Sequence, residues 1–300
     1  MLNLWGVFFA LVAIILHAWA NIFDNYFSSK IFKRLTNLIF FSALVNLLFL
    51  PIVLLIDFPK ALSFHSLEII FLISLIDVLY AYPYYWSLRR LDTSVVTSLF
   101  SLGKVFTPLF AFFLVREELT LVQYVGFFLV VFSSFLLPLD ARRFRLDKAF
   151  FYMLLVSILL TLQGVLYKYV FEQGTSWGTA ITWTTCLALV IALMPVLHAS
   201  NRKDFISSTK KVKKLGWLFL LNQGLSWGGE ATYTMAIFLM PASIVKGITS
   251  TQPIFVLLFA FLFAKDAKYM FREHLGSGAL MKKLILFLLV IFGTILIAVG

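Results

Sequence analysis

What most constrains this chain is the recurrence of apolar runs about 20 residues long, the length a helix needs to cross the hydrocarbon core of a bilayer. Cutting the sequence at its charged clusters gives ten runs, with approximate limits 4–23, 36–56, 66–88, 94–115, 121–139, 148–171, 177–198, 215–238, 242–264 and 282–299. The longest polar intervals, 199–214 and 265–283, read as loops and leave no room for a soluble domain. Only 13% of the 300 residues are charged and 61% are hydrophobic, too little charge to cover a water-facing surface. The expected fold class is therefore an all-α integral membrane protein with ten transmembrane helices and the lipid bilayer as its surroundings. The first run has no basic segment before it and no cleavage pattern, so it reads as a retained span rather than a signal peptide.

The chain also repeats itself. "AYPYYWSLRRLDTSVVTSLFSLGKVFTPLFAFFLVRE" (81–117) lies over "EATYTMAIFLMPASIVKGITSTQPIFVLLFAFLFAKD" (230–266) without gaps at an offset of 149. Tyr84 meets Tyr233, Ser94 meets Ser243, and Arg116-Glu117 meets Lys265-Asp266. "FFLVVFSSFLL" (127–137) resembles "FLLVIFGTILI" (287–297) at an offset of 160. Two five-helix repeats are expected, residues 1–140 and 141–300, within a single membrane domain.

Five is an odd number, so the two repeats must cross the membrane in opposite senses and equivalent loops should carry opposite Lys/Arg bias. Lys30, Lys33 and Arg34 follow span 1, and Arg89 and Arg90 follow span 3, whereas the loops after spans 6 and 8 have no base. Conversely, the loop after span 2 has Lys60 and that after span 4 has Arg116. Their counterparts hold Arg202, Lys203, Lys210, Lys211, Lys213 and Lys214 after span 7, and Lys265, Lys268, Arg272, Lys282 and Lys283 after span 9. Arg142, Arg143, Arg145 and Lys148 join the halves. Odd-numbered loops are thus expected in the cytoplasm and both termini on the opposite side. The net charge of +11 is read as this topology signal, and no nucleic-acid partner is expected. An inverted repeat of this kind suits alternating access around a site near the midplane.

The whole chain resembles the drug/metabolite transporter superfamily, EamA type. The resemblance is carried by the ten short spans in two halves, by "LFAFFLVREELTLVQYVGFFLV" (109–130), and by "HAWANIFDNYFSSK" (17–30), where a Trp precedes the polar end of the first helix. The chain departs from the family pattern in span 4, where Lys104 aligns internally with Pro253, and at the second-half Glu, replaced by Asp266. The resemblance implies a transporter of a small metabolite, often an exporter, with a central cavity lined by spans 1, 3, 4, 6, 8 and 9. The expected location is a bacterial inner (plasma) membrane and the expected state a monomer.

Ionisable residues inside a membrane are costly and are functional candidates by default. Lys104 and Asp77 lie near the midpoints of consecutive spans, at matching depth at ~1.5 Å rise per residue. They line the pathway or form a structural ion pair; both readings stand. Glu230 and Lys246 are offset toward one membrane face on the equivalent hairpin and pose the same choice. Lys168, close to the end of span 6, reads as snorkelling to the interface.

Tyr80 and Tyr82 in "YAYPYYW" (80–86), and Asn222, Trp227 and Tyr233 in "NQGLSWGGEATYT" (222–234), add polar or aromatic pathway candidates. Gly224 and Gly228 read as a helix-contact face. Asp24 stands in a vestibule if span 1 continues past it.

Enzyme constellations are lacking. His17, His65, His198 and His274 stand singly, no phosphate-binding GxxxxGK[ST] loop is present, and the one cysteine, Cys186, forms no metal or redox motif. No cofactor is expected. The expected function is transport of a small polar or zwitterionic solute such as an amino acid, with proton coupling through Asp77 or Glu230 as one option. A quaternary-ammonium solute held by aromatic rings and flipping of a lipid-linked headgroup are the alternatives.

Overall fold

A computed structural model describes residues 3–136, 148–197, 202–263 and 280–299. In chain order its helices are α1 (Leu4–Tyr26), continued by a π-helical turn to Ile31, α2 (Leu35–Asn46), α3 (Leu50–Ile56), α4 (Phe64–Leu88), α5 (Thr93–Lys104), α6 (Thr107–Val115) and α7 (Leu121–Leu136). The second half holds α8 (Lys148–Glu172), α9 (Trp177–Leu197), α10 (Arg202–Lys214), α11 (Gly216–Leu239), α12 (Ala242–Thr249), α13 (Gln252–Phe263) and α14 (Leu280–Val299). No strand occurs among the described residues. Within the described residues each of the ten apolar runs holds helix, and the chain is an all-α integral membrane protein. Among the described residues, by length and hydropathy alone, six helical segments are long and apolar enough to cross a membrane, or seven when the bent pair α5–α6 counts as one. The linker bases Arg142, Arg143 and Arg145, and Lys265, Asp266, Lys268 and Arg272 farther on, lie outside the described residues, as do His198 and His274.

The stretch expected as a loop at 199–214 instead contains α10. No Pro or Gly interrupts Arg202–Lys214, and Phe205 and Val212 pack on the bundle while Ile206 stays exposed. Phe205 stacks on Phe41 with centroids 5.0 Å apart, Asn37 Nδ2 donates to Ser208 Oγ at 3.1 Å, and Arg34 pairs with Asp204. Lys211 Nζ reaches the Ile31 carbonyl at 3.0 Å. The basic face remains exposed.

Two helices break near mid-membrane depth. α5 ends at Lys104, and α6 restarts at Thr107 with Pro108 in its first turn, at 44° to α5. α12 ends at Thr249, and α13 restarts at Gln252 with Pro253 in its first turn. Proline is tolerated there because a first-turn N–H has no intrahelical partner in any case. The two breaks face each other: Lys104 Nζ lies 3.4 Å from Thr249 Oγ1.

Close packing relies on small residues, as expected where helix association has no hydrophobic drive. α1 lies along α11, α4 and α5 along α8, α13 along α1, and α7 along α14. A Cβ on Gly126 would stand 2.6 Å from the Gly293 carbonyl oxygen, and one on Gly293 would stand 2.8 Å from that of Gly126. Of the α11 glycines, Gly228 leaves ordinary contact distance, a Cβ on Gly224 would stand a tight 3.3 Å from the Phe49 ring, and Gly229 lies hard against the His17 ring.

Glu117 adds a link between distant segments. Arg116 takes a left-handed conformation, φ 52°, which ends α6 and turns the chain. The Glu117 carboxylate then accepts the Ala242 and Ser243 amides at 2.6 and 3.0 Å, capping α12 with charge of the favourable sign. Asp57 does the same for α9 through the Gly178 amide at 2.6 Å.

Candidate functional site

A cavity of about 230 Å³ lies inside the helix bundle. Spans 1, 3, 4, 6, 8 and 9 contribute to it as expected, and so do α2, through Ile39, Ser42 and Asn46, and α9, through Ile181, Thr184 and Ala188. Of the sequence candidates, Lys104, Asp77, Glu230, Trp227, Lys246, Tyr80, Tyr233 and Asp24 line it. Asn222 sits just behind the wall, fully buried, donating to Asp24 Oδ1 at 2.9 Å. Tyr82 does not line it; the ring is 50% exposed on the outer face of α4. Lys168 is also outside the cavity, 3.9 Å from Glu172, consistent with a charge near a helix end.

The charges are not arranged as matching depth suggested. No ion pair joins Lys104 to Asp77 among the described residues. Asp77 Oδ1 instead accepts Gln163 Nε2 at 2.5 Å, and the second carboxylate, Glu230, is near enough to act on it electrostatically. Lys246 acts on Lys104, and Glu230 and Lys246, of opposite charge, act on each other without closing to an ion pair. Lys246 Nζ donates to the Leu160 carbonyl at 2.7 Å and lies 4.8 Å from the Tyr233 ring centroid. Gly164 makes room for this, since a Cβ there would overlap the Tyr233 hydroxyl and the end of Lys246. Depth fixed the axial position of each charge, but the rotation of each helix decides which charges meet.

Asp77 and Glu230 are enclosed by protein yet keep accessible surface, which opens into the cavity. Glu230 Oε1 and the Tyr233 hydroxyl have no hydrogen-bond partner. Lys104 has only the long contact to Thr249. Buried charges are ordinarily paired and fully hydrogen-bonded, because an unpaired one carries a heavy desolvation cost. Here three carboxylates, Asp24, Asp77 and Glu230, and two lysines, Lys104 and Lys246, border one space, and Glu230 and Lys104 are incompletely satisfied.

Residues without formal charge complete the lining. Gln163 holds Asp77; Trp227 stacks on Phe49 at 5.5 Å; His17 sits on Gly229 between the two lysines' fields. Toward the other end, Tyr84 places its hydroxyl 2.6 Å from Asn21 Oδ1 and 3.1 Å from Asp24 Oδ2. Gln163 and Asn21 drew no functional reading from the sequence, although an amide inside an apolar run is a usable signal; Gln223 stood out only as one polar group of span 8 among several. Among the described residues no cluster of His, Cys, Asp and Glu could hold a metal ion.

Residues 4–138 match the EamA-like transporter family. That match, over 135 of the 300 residues, supports membership of the drug/metabolite transporter superfamily, and the family implies a membrane transporter with a small molecule as substrate. A solved crystal structure described only as that of a protein aligns over 97% of this chain and 95% of its own, with TM-score 0.62 and 17% identity; at that identity the likeness concerns the fold alone. No curated protein matches the chain.

Proposed function

We propose that this transporter carries a small zwitterionic metabolite of the amino-acid class by alternating access. The observation that carries the reading is the charge layout of the cavity. Asp77 and Glu230 offer acceptors for an ammonium group, Lys104 and Lys246 offer donors for a carboxylate, and no ion pair joins the two sets among the described residues. A solute bearing both charges would complete the hydrogen bonding that the protein leaves open. A solute with one fixed positive charge would leave the lysine side unsatisfied, which argues against the quaternary-ammonium alternative.

The repeat at offset 149 supports a two-repeat design, and the packing agrees with it. Exchanging the halves turns the contact of α1 with α11 into that of α8 with α4, and the contact of α13 with α1 into that of α6 with α8. It also exchanges the broken helices whose ends meet at Lys104 and Thr249. Rocking such repeats about a fixed midplane site is a known route to alternating access.

The test is counterflow. Proteoliposomes loaded with mixed unlabelled amino acids and held at equal pH on both sides should accumulate external labelled amino acid, and protein-free vesicles should not. Equal pH separates exchange from any proton drive through Asp77 or Glu230. Absence of exchange for every amino acid would refute the reading.

A further inference from the structure

The cavity has a second level, built mainly from neutral polar side chains. Residues seven apart on a helix lie two turns away on the same face, ~10 Å along the axis. Three cavity helices use this spacing: His17 and Asp24 on α1, Asp77 and Tyr84 on α4, Glu230 and Gln223 on α11. His17, Asp77 and Glu230 stand at the level of the lysines. Asp24, Tyr84 and Gln223 stand at the other, joined there by Asn21 and Asn46.

This second level is built from amides with unused capacity. Asn21 Nδ2 and Gln223 Nε2 have no acceptor, and Asn46 Oδ1 has no donor. Asn21 is 7% exposed and Gln223 2%, so bulk water does not serve them. Such groups cost free energy unless a ligand or an ordered water completes them. The carboxylate there, Asp24, accepts the Asn222 amide at Oδ1, and the Tyr84 hydroxyl, with its single proton, serves Asn21 Oδ1 at 2.6 Å or Asp24 Oδ2 at 3.1 Å. What remains beside it is a mixed set of neutral donors and acceptors.

From this we infer that the Asn21, Asn46 and Gln223 level is a side-chain subsite that selects amino acids with a neutral hydrogen-bonding side chain, a carboxamide before all. A carboxamide presents both N–H and C=O, as the orphaned groups require. A cationic side chain, which only donates, would leave the Asn21 Nδ2 and Gln223 Nε2 donors without an acceptor, and an apolar one would leave every orphan unpaired. The separation fits too: ~10 Å less a hydrogen bond of about 3 Å at each end leaves ~4 Å, the reach of a short side chain. The inference rests on the amino-acid reading above.

The experiment is counterflow of labelled glutamine, leucine and lysine by the intact protein, Gln223→Met and Asn21→Leu. The intact protein should favour glutamine over leucine and over lysine by at least about tenfold, since hydrogen-bonding sites reject analogues that leave their groups unpaired. Each variant should lose most of that preference, whereas Lys168→Met, outside the cavity, should keep it, and the unfolding midpoint in detergent reports that the variants fold. Preference for leucine or lysine in the intact protein, or a glutamine preference unchanged in both variants, would overturn the subsite and leave the amino-acid reading standing. Exchange of no amino acid by the intact protein would overturn both.

Discussion

Replacing Lys104 by Met should lower amino-acid exchange by about 100-fold or more while the protein remains folded. The side chain is nearly isosteric and removes one cation from a wall that also holds Lys246. A charge-assisted hydrogen bond lost in a desolvated site costs roughly 1.5–3 kcal/mol, and leaving a buried carboxylate without a partner raises that to roughly 3–5 kcal/mol. In the transporter the unpartnered group would be the solute's own carboxylate, so the penalty falls on transport. The protein's carboxylates do not depend on Lys104: Asp77 is held by Gln163, and Lys104 reaches only Thr249 at 3.4 Å. Thermal stability in detergent should therefore change little. Lys168→Met, outside the cavity near Glu172, is the control and should transport normally. A structural ion pair would give the opposite pattern, with stability lost and exchange per folded molecule retained.

Gly126→Leu should damage the fold and leave the chemistry of the cavity alone. Gly126 is on α7 and Gly293 on α14, and each would place a Cβ within 2.8 Å of the other's carbonyl oxygen. Neither atom is the end of a flexible side chain, so the helices themselves must separate. Overpacking of this kind costs about 1–3 kcal/mol and occasionally more, and close backbone approach is a main source of helix association in lipid. The expected result is a clear fall in the unfolding midpoint in detergent. Gly126→Ala should fall less, and the protein that remains folded should keep its glutamine preference. Unchanged stability in both variants would mean that the α7–α14 crossing is looser than described.

The helical layout was legible because hydrocarbon thickness imposes a length that loops and soluble helices do not share. The expected run 36–56 falls on Leu35–Ile56, and 94–115 on Thr93–Val115. Lys104, Asp77, Glu230 and Lys246 stood out because a charge in an apolar run has few innocent explanations. Their partners did not stand out. Rise per residue gives depth, but which way a residue faces depends on helix rotation and on breaks such as that after Lys104. Asp77 thus met Gln163 and Glu230 rather than Lys104, and Tyr82 turned outward while Tyr80 and Tyr84 turned in. The amide level escaped for a different reason: Asn21, Asn46 and Gln223 carry no charge, and their common depth emerges only when α1, α2 and α11 are placed side by side. α10 was read as a loop because its charge hid the few apolar residues that dock it, Phe205 among them.

The central claim is that the cavity completes itself with a solute carrying both charges. Its most direct measurement is competition against labelled glutamine exchange in proteoliposomes by three ligands: unlabelled glutamine, its decarboxylated amine and its deaminated acid. The zwitterion should compete at least about tenfold better than either single-charge analogue, because each analogue leaves one pair of cavity charges unsatisfied at a cost above roughly 1.4 kcal/mol. Equal competition by the amine or by the acid would contradict the claim.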